Sequence, residues 1–229
     1  MAPRTTLPLL LASALTLAAS SVHAEPIEAH QSHVQASLGV RVSKVSDAGF
    51  DPFADSDELV QVSLGVGGTV FRYQRLSLAA VGFWDYGERN ATARGGGSNI
   101  YVHRLSVGPE FRYQILKPLY AFVHVLPAFA HSKASLEDPV AVTTRSAQHW
   151  AYGVDAAAGA AFEVYAIPRG GAFRPRLWAI AEGGYGYLGS TKLLLKPEGD
   201  AAPERTAPVD LGSLSLAGPY LRISAAVSF

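Results

Sequence analysis

Among the charged residues inside otherwise apolar, alternating segments of the chain, Arg41, Arg104, Glu110, Arg112, Asp155, Glu163, Glu182 and Arg222 form a plausible interior set. The chemistry open to such a set is ion pairing, because an uncompensated buried charge costs several kcal/mol. Catalytic arrangements are scarcer. His131, Ser132 and Glu137 supply the residue types of a nucleophilic triad, but adjacent residues on a strand point to opposite faces, so the imidazole would not aim at the hydroxyl. His33, His103 and His124 are scattered without metal-ligand spacing. The chain has no cysteine, which excludes thiolate metal sites and disulfides. Gly95 to Gly97 open no helix and so cradle no phosphate. Asn90-Ala91-Thr92 matches a glycosylation sequon, and Asp47, Asp51, Asp55, Asp57 and Glu58 form an acidic run of the kind usually solvated. The expectation is no catalytic, cofactor or metal site, and no enzyme.

The elements that must position the charges are strands. In SHVQASLGVRVSKV, Val34, Ala36, Leu38, Val40 and Val42 alternate with polar or small residues, the period of a two-faced strand. The same alternation returns in LVQVSLGVGGTVFRY, LSLAAVGFWDYG, IYVHRLSVGPEFRY, LYAFVHVLPAFA, WAYGVDAAAGAAFEVY, RLWAIAEGGYGYLG and the closing GPYLRISAAVSF. Gly153, Gly159 and the even spacing of the charges favour strand over helix in the alanine-rich sixth segment. Eight strands result, joined alternately by long and shorter connections, with loops expected over ERNATARGGGSN, from His131 to about Gln148, and from about Ser190 to Leu211.

The first 24 residues carry Arg4, an apolar stretch from Leu7 to Ala19 and a small-residue site at Val22-His23-Ala24, the pattern of a secretory signal cleaved after Ala24. The apolar stretch is short of the ~20 residues that span a bilayer as helix. This leaves residues 25–229 as one barrel domain. Nineteen Lys and Arg balance nineteen Asp and Glu, so no basic surface argues for nucleic acid. A mature chain that enters a membrane must therefore do so as strands.

Alternation alone does not say which way the apolar face points. The five lysines, Lys44, Lys117, Lys133, Lys192 and Lys196, fall in loops or at strand ends, whereas a water-facing wall normally carries many Lys and Glu. An Arg on a lipid face near the midplane would cost ~2–4 kcal/mol. The strand-borne charges should therefore point inward as a lumen network of Arg41, Arg104, Glu110, Asp155, Glu163, Glu182 and Arg222. Height along the strands pairs Glu182 with Arg222, puts Arg41, Arg104 and Asp155 nearer the outer rim, and leaves Glu110 and Glu163 lower. Tyr73, Trp84, Tyr86, Tyr101, Tyr113, Trp150, Tyr185 and Tyr187 cluster near strand ends as interfacial girdles would. Trp178 shares the parity of Glu182 and is read as lumen filler near the periplasmic mouth.

On these features the chain resembles the small outer-membrane β-barrel family of Gram-negative bacteria, the OmpA/OmpX-type eight-stranded barrels, from about His33 to Phe229. The resemblance implies an all-β, eight-stranded, antiparallel up-and-down transmembrane barrel in the cell outer membrane with both termini periplasmic. It also implies an assembly signal in the last strand, carried here by Arg222, Val227 and Phe229, with Ser224 where glycine is usual. The partners implied are outer-membrane lipid and lipopolysaccharide, the barrel-assembly machinery and an extracellular ligand of the loops; no cofactor is implied. Since the sequence stops at Phe229, no cell-wall tether is expected. The functional expectation is a plugged barrel with a structural or surface-interaction role through four extracellular loops. OmpW-like transport of small or hydrophobic solutes stands as the alternative, and a rim enzyme acting on lipid A at His131 ranks below it.

Overall fold

The structure is a computed structural model that describes residues 34–93, 95–138, 143–166, 175–198 and 208–229. The leader read over residues 1–24 and His33 lie outside the described residues. Ten strands follow in order: β1 Val34–Lys44, β2 Glu58–Tyr73, β3 Leu76–Ala93, β4 Gly96–Leu116, β5 Leu119–Asp138, β6 Thr143–Ala166, β7 Arg176–Leu188, β8 Thr191–Pro197, β9 Val209–Leu214 and β10 Gly218–Ser228. Among the described residues no helix is long and apolar enough to cross a membrane.

Strands β1 to β7 pair in sequence, each antiparallel to the next, and β10 lies between β7 and β1. Eight strands thereby close an up-and-down barrel with no free edge in its wall. Closure satisfies every ladder within the sheet, which is what a strand needs in hydrocarbon. The seam holds to its end, where the Phe229 amide donates to the Val34 carbonyl at 3.0 Å. Two of the connections opposite the long loops are tight. Gln74 and Arg75 join β2 to β3, with Gln74 at φ 51°, and Lys117-Pro118 joins β4 to β5.

The side-chain distribution is the reverse of a water-soluble barrel. Along β10 inward and outward positions alternate without a break. The outward ones are apolar and open, such as Ile223 at 60% exposure and, on β5, Val125 at 61%, while inward Arg41 and Asp85 are wholly buried. Rows of outward residues fix the height of the apolar band. Leu76, Tyr113, Ala121 and Ala160 lie in one row across β3 to β6, and Tyr86, His103, His131 and Trp150 lie in another. Between them every outward residue of β4 is apolar. The next row up is Glu88, Tyr101, Lys133 and Gln148. On β4 the band therefore runs from Tyr113 to His103, within the ~9–11 residues of a tilted transmembrane strand. The molecule is an inside-out barrel built to sit in lipid.

Above the band the structure departs from the sequence reading. ERNATARGGGSN belongs mainly to the tall β3–β4 hairpin, whose turn holds Gly95 at φ +82°, and Ser132 to Leu136 and Thr144 to Gln148 extend β5 and β6. Lys133 accordingly stands within β5. The segment expected as a loop from Ser190 to Leu211 contains β8 and part of β9, a hairpin set against β6 through Arg145–Pro197 and Ser146–Lys196. A strand whose outer face meets water carries loop-like residues there, and this hid the alternation.

Candidate functional site

The lumen is organised in three levels. At its middle, six side chains form a chain of alternating charge: Arg104, Asp155, Arg41, Asp85, Arg222 and Glu182. Arg41 and Arg222 stand directly opposite each other on β1 and β10, an unfavourable pairing of like charges on its own. Asp85 resolves it from across the lumen. Its carboxylate accepts from Arg41 Nη1 at 3.0 Å and from Arg222 Nη2 at 2.9 Å. Arg222 Nη1 also donates to Glu182 Oε1 at 2.6 Å. On the other flank Asp155 accepts from Arg41 Nη1 at 3.1 Å, Arg104 Nε at 3.0 Å and the Ser106 hydroxyl at 2.6 Å. The ring of Tyr220 lies 3.8 Å below the Arg41 guanidinium and that of Phe83 lies 4.1 Å from the Arg222 guanidinium, cation–π contacts suited to a desolvated site. Gly186 leaves the room this network needs: a Cβ there would sit 2.6 Å from Arg104 Nη2 and 2.8 Å from Asp155 Oδ1.

Below the chain Glu110 accepts from Arg112 Nε at 2.7 Å and contacts His124 Nδ1 at 3.2 Å. Between the two groups lies a cavity of about 30 Å³ bordered by Glu110, Arg112, Glu182 and Arg222, room for a water or two. Glu163 stands apart from both, paired with Arg176 at 3.0 Å near the lower rim and partly open to solvent. At that end Trp178 fills the bore. It is buried, donates through Nε1 to Ser228 Oγ at 2.9 Å, and meets the Tyr120 ring edge-on at 5.2 Å. Trp178→Ala should lower the unfolding free energy by ~3–5 kcal/mol, as for other large buried aromatics, measured by urea titration in lipid vesicles.

The third level is apolar. Val45, Phe50 and Phe53 from the first long connection, and Leu193, Leu195, Leu214 and Leu216 from the last, fold down between the tall strands. They pack on Leu59, Ile100, Val102, Ala130, Ala134 and Leu188 of the wall. The connections are thus a cap with a core of its own, closing the upper mouth. Outside it, Ser146 Oγ at 2.8 Å and Lys133 Nζ at 3.0 Å bind Glu198 and tie β8 to the wall. The Ser146 hydrogen bond and then Lys133 hold the Glu198 carboxyl below its ordinary pKa. That small contribution is present at neutral pH and fades as pH falls through the lowered value.

The remaining candidates separate. His131 faces outward against the Trp150 ring, whereas Ser132 is buried on the inner face, so no triad assembles there. His124 is a lumen residue and His103 an outer-wall residue. Among the described residues no group of three or more His, Asp or Glu side chains could hold a metal ion. Asp85, the hub of the ion chain, is not among the lumen charges expected from the sequence, although the outward parity of Trp84 and Tyr86 places it inside. Arg222 and Val227 lie on the seam strand and Phe229 directly follows it, with Arg222 in the lumen and Val227 and Phe229 outside.

No protein-family model matches the chain, and no curated protein matches it. Among solved structures it is similar to the crystal structure of Ail, the attachment invasion locus protein of Yersinia pestis. That likeness has 13% identity over 87% of this chain and 100% of the other, with a TM-score of 0.49. A second structure of Ail, in complex with the heparin analogue sucrose octasulfate, gives 14% identity over the same shares and a TM-score of 0.48. Neisserial surface protein A gives 13% identity over 86% of this chain and 94% of the other, with a TM-score of 0.39.

Proposed function

We propose that the chain is an integral outer-membrane protein with a closed lumen and a surface-interaction role carried by its raised outer end. The observation behind this reading is the filling of the bore at all three levels, while β3 to β6 and the β8–β9 hairpin rise above the apolar band as ordered polar sheet. A wall that conducted solutes would need a continuous polar path, and here the upper third of the bore is leucine and phenylalanine. The outer face of that sheet instead offers hydrogen-bonding side chains held in place: Asn90 and Asn99 both donate to Glu88, at 3.1 and 2.9 Å. Such pre-ordered polar groups suit recognition of an extracellular ligand. Outer-membrane lipid and lipopolysaccharide would pack on the apolar band, and the barrel-assembly machinery would read the seam strand ending at Phe229. Both termini would then face the periplasm, at the end of the tight Lys117-Pro118 turn.

The absence of cysteine makes the test direct. With a membrane-impermeant maleimide, Gln148→Cys should be labelled on intact cells and Lys117→Cys only after the outer membrane is permeabilised. Labelling of both, or the reverse order, would defeat the proposed location and orientation.

A further inference from the structure

The register of β4 and β5 brings together two histidines that lie far apart in the sequence. His103 and His131 are direct cross-strand partners. Both face outward, with ring centroids 6.5 Å apart and an interplanar angle of 33°. The pair is bracketed by Tyr86, whose ring is 4.9 Å from that of His103, and Trp150, whose ring is 4.8 Å from that of His131. His124 differs in that its ring is buried and engaged by Glu110.

We propose that His103 and His131 form a binding site for one borderline divalent transition ion, of the Cu²⁺, Ni²⁺ or Zn²⁺ class. Directly opposed residues in an antiparallel pair hold their Cβ atoms about 4.5–5.5 Å apart, so the sheet itself sets the bite of the two ligands. Imidazole nitrogens bind these ions at about 2.0–2.1 Å. At that bond length two imidazoles on one ion have centroids no more than ~6.4 Å apart, and nearer when they bind side by side, so the two rings must turn toward each other about their side-chain torsions to share an ion. Nitrogen donors select this class over Mg²⁺ and Ca²⁺, and Cu²⁺ should bind most tightly of the series. The flanking Tyr86 and Trp150 rings limit how far each imidazole can swing away. The charged groups in the row above the pair are Glu88 and Lys133, and these are engaged by Asn90 and Asn99 and by Glu198. The row sits where the apolar band ends, so the open coordination positions face water and lipid head groups and the ion exchanges freely.

The test uses the full mature protein without a histidine tag, folded in a maltoside detergent, with Cu²⁺ as probe. Calorimetry should show one equivalent bound, and electron paramagnetic resonance should show two nitrogen ligands. His103→Ala or His131→Ala should each weaken binding by about tenfold or more, because even the loss of a group behind a ligand costs about 10–100-fold. His149→Ala and the double change H30A/H33A should leave the two-nitrogen site in place. Affinity should also fall on acidification, since only neutral imidazole binds the ion. Heat-modifiable gel migration reports that each variant has folded. Unchanged Cu²⁺ binding in folded His103→Ala and His131→Ala, a one-nitrogen spectrum, or loss of the site only in H30A/H33A would overturn the proposal.

Discussion

Replacing Asp85 with alanine should lower the unfolding free energy by ~3–5 kcal/mol, the cost of leaving buried charge without its partner. The size follows from position. Asp85 is wholly buried and is the carboxylate shared by Arg41 and Arg222, which oppose each other on the β1–β10 seam. Without it, Arg222 keeps Glu182 and Arg41 keeps Asp155, but the two guanidiniums face one another with nothing between. The comparison is Glu163→Ala, which removes a partly exposed pair with Arg176 and should cost no more than about 1 kcal/mol. Urea unfolding in vesicles, followed by tryptophan fluorescence and heat-modifiable migration, measures both. Equal costs for the two variants would mean that the central chain is no more critical than the rim.

Val125→Arg should cost ~2–4 kcal/mol, because the side chain lies near the middle of the apolar band and faces lipid. Val125 is 61% exposed, on the same outward face as Val123 and Phe129. On a water-soluble barrel a substitution at so open a site would usually fall within about ±0.5 kcal/mol. The same change at Gln148, outward on β6 but above the band, should be close to neutral. The contrast between these positions measures the height of the membrane on the wall. Similar small effects at both would place the barrel in water.

Much of this architecture is legible in residue order because a barrel wall is a period-two object. Leu221, Ile223, Ala225 and Val227 against Arg222 and Ser224 state both faces of β10 outright. Arg222 and Glu182 can be assigned to neighbouring strands at one height by counting, and their side chains meet at 2.6 Å. Asp85 is less legible because, between Trp84 and Tyr86 at the end of its apolar run, it has the look of a strand-end charge. The raised parts of β3 to β6 escaped for a physical reason: once the outer face leaves lipid, Glu88, Asn90, Asn99 and Lys133 look like loop. The cap was harder still. Phe50, Phe53, Leu193 and Leu195 occur in Pro- and charge-containing stretches, and only the fold shows that their side chains turn into the mouth. The His103–His131 pairing depends on β4–β5 register, which the composition of neither strand specifies.

A bore closed by the ion chain, by Trp178 and by the apolar cap should conduct no ions. Reconstitution of the purified protein into planar lipid bilayers tests this most directly. A quiet membrane, with no steady single-channel conductance across the usual voltage range, is the expected result. Steady, reproducible channels from folded protein would contradict it and would favour solute transport over surface interaction.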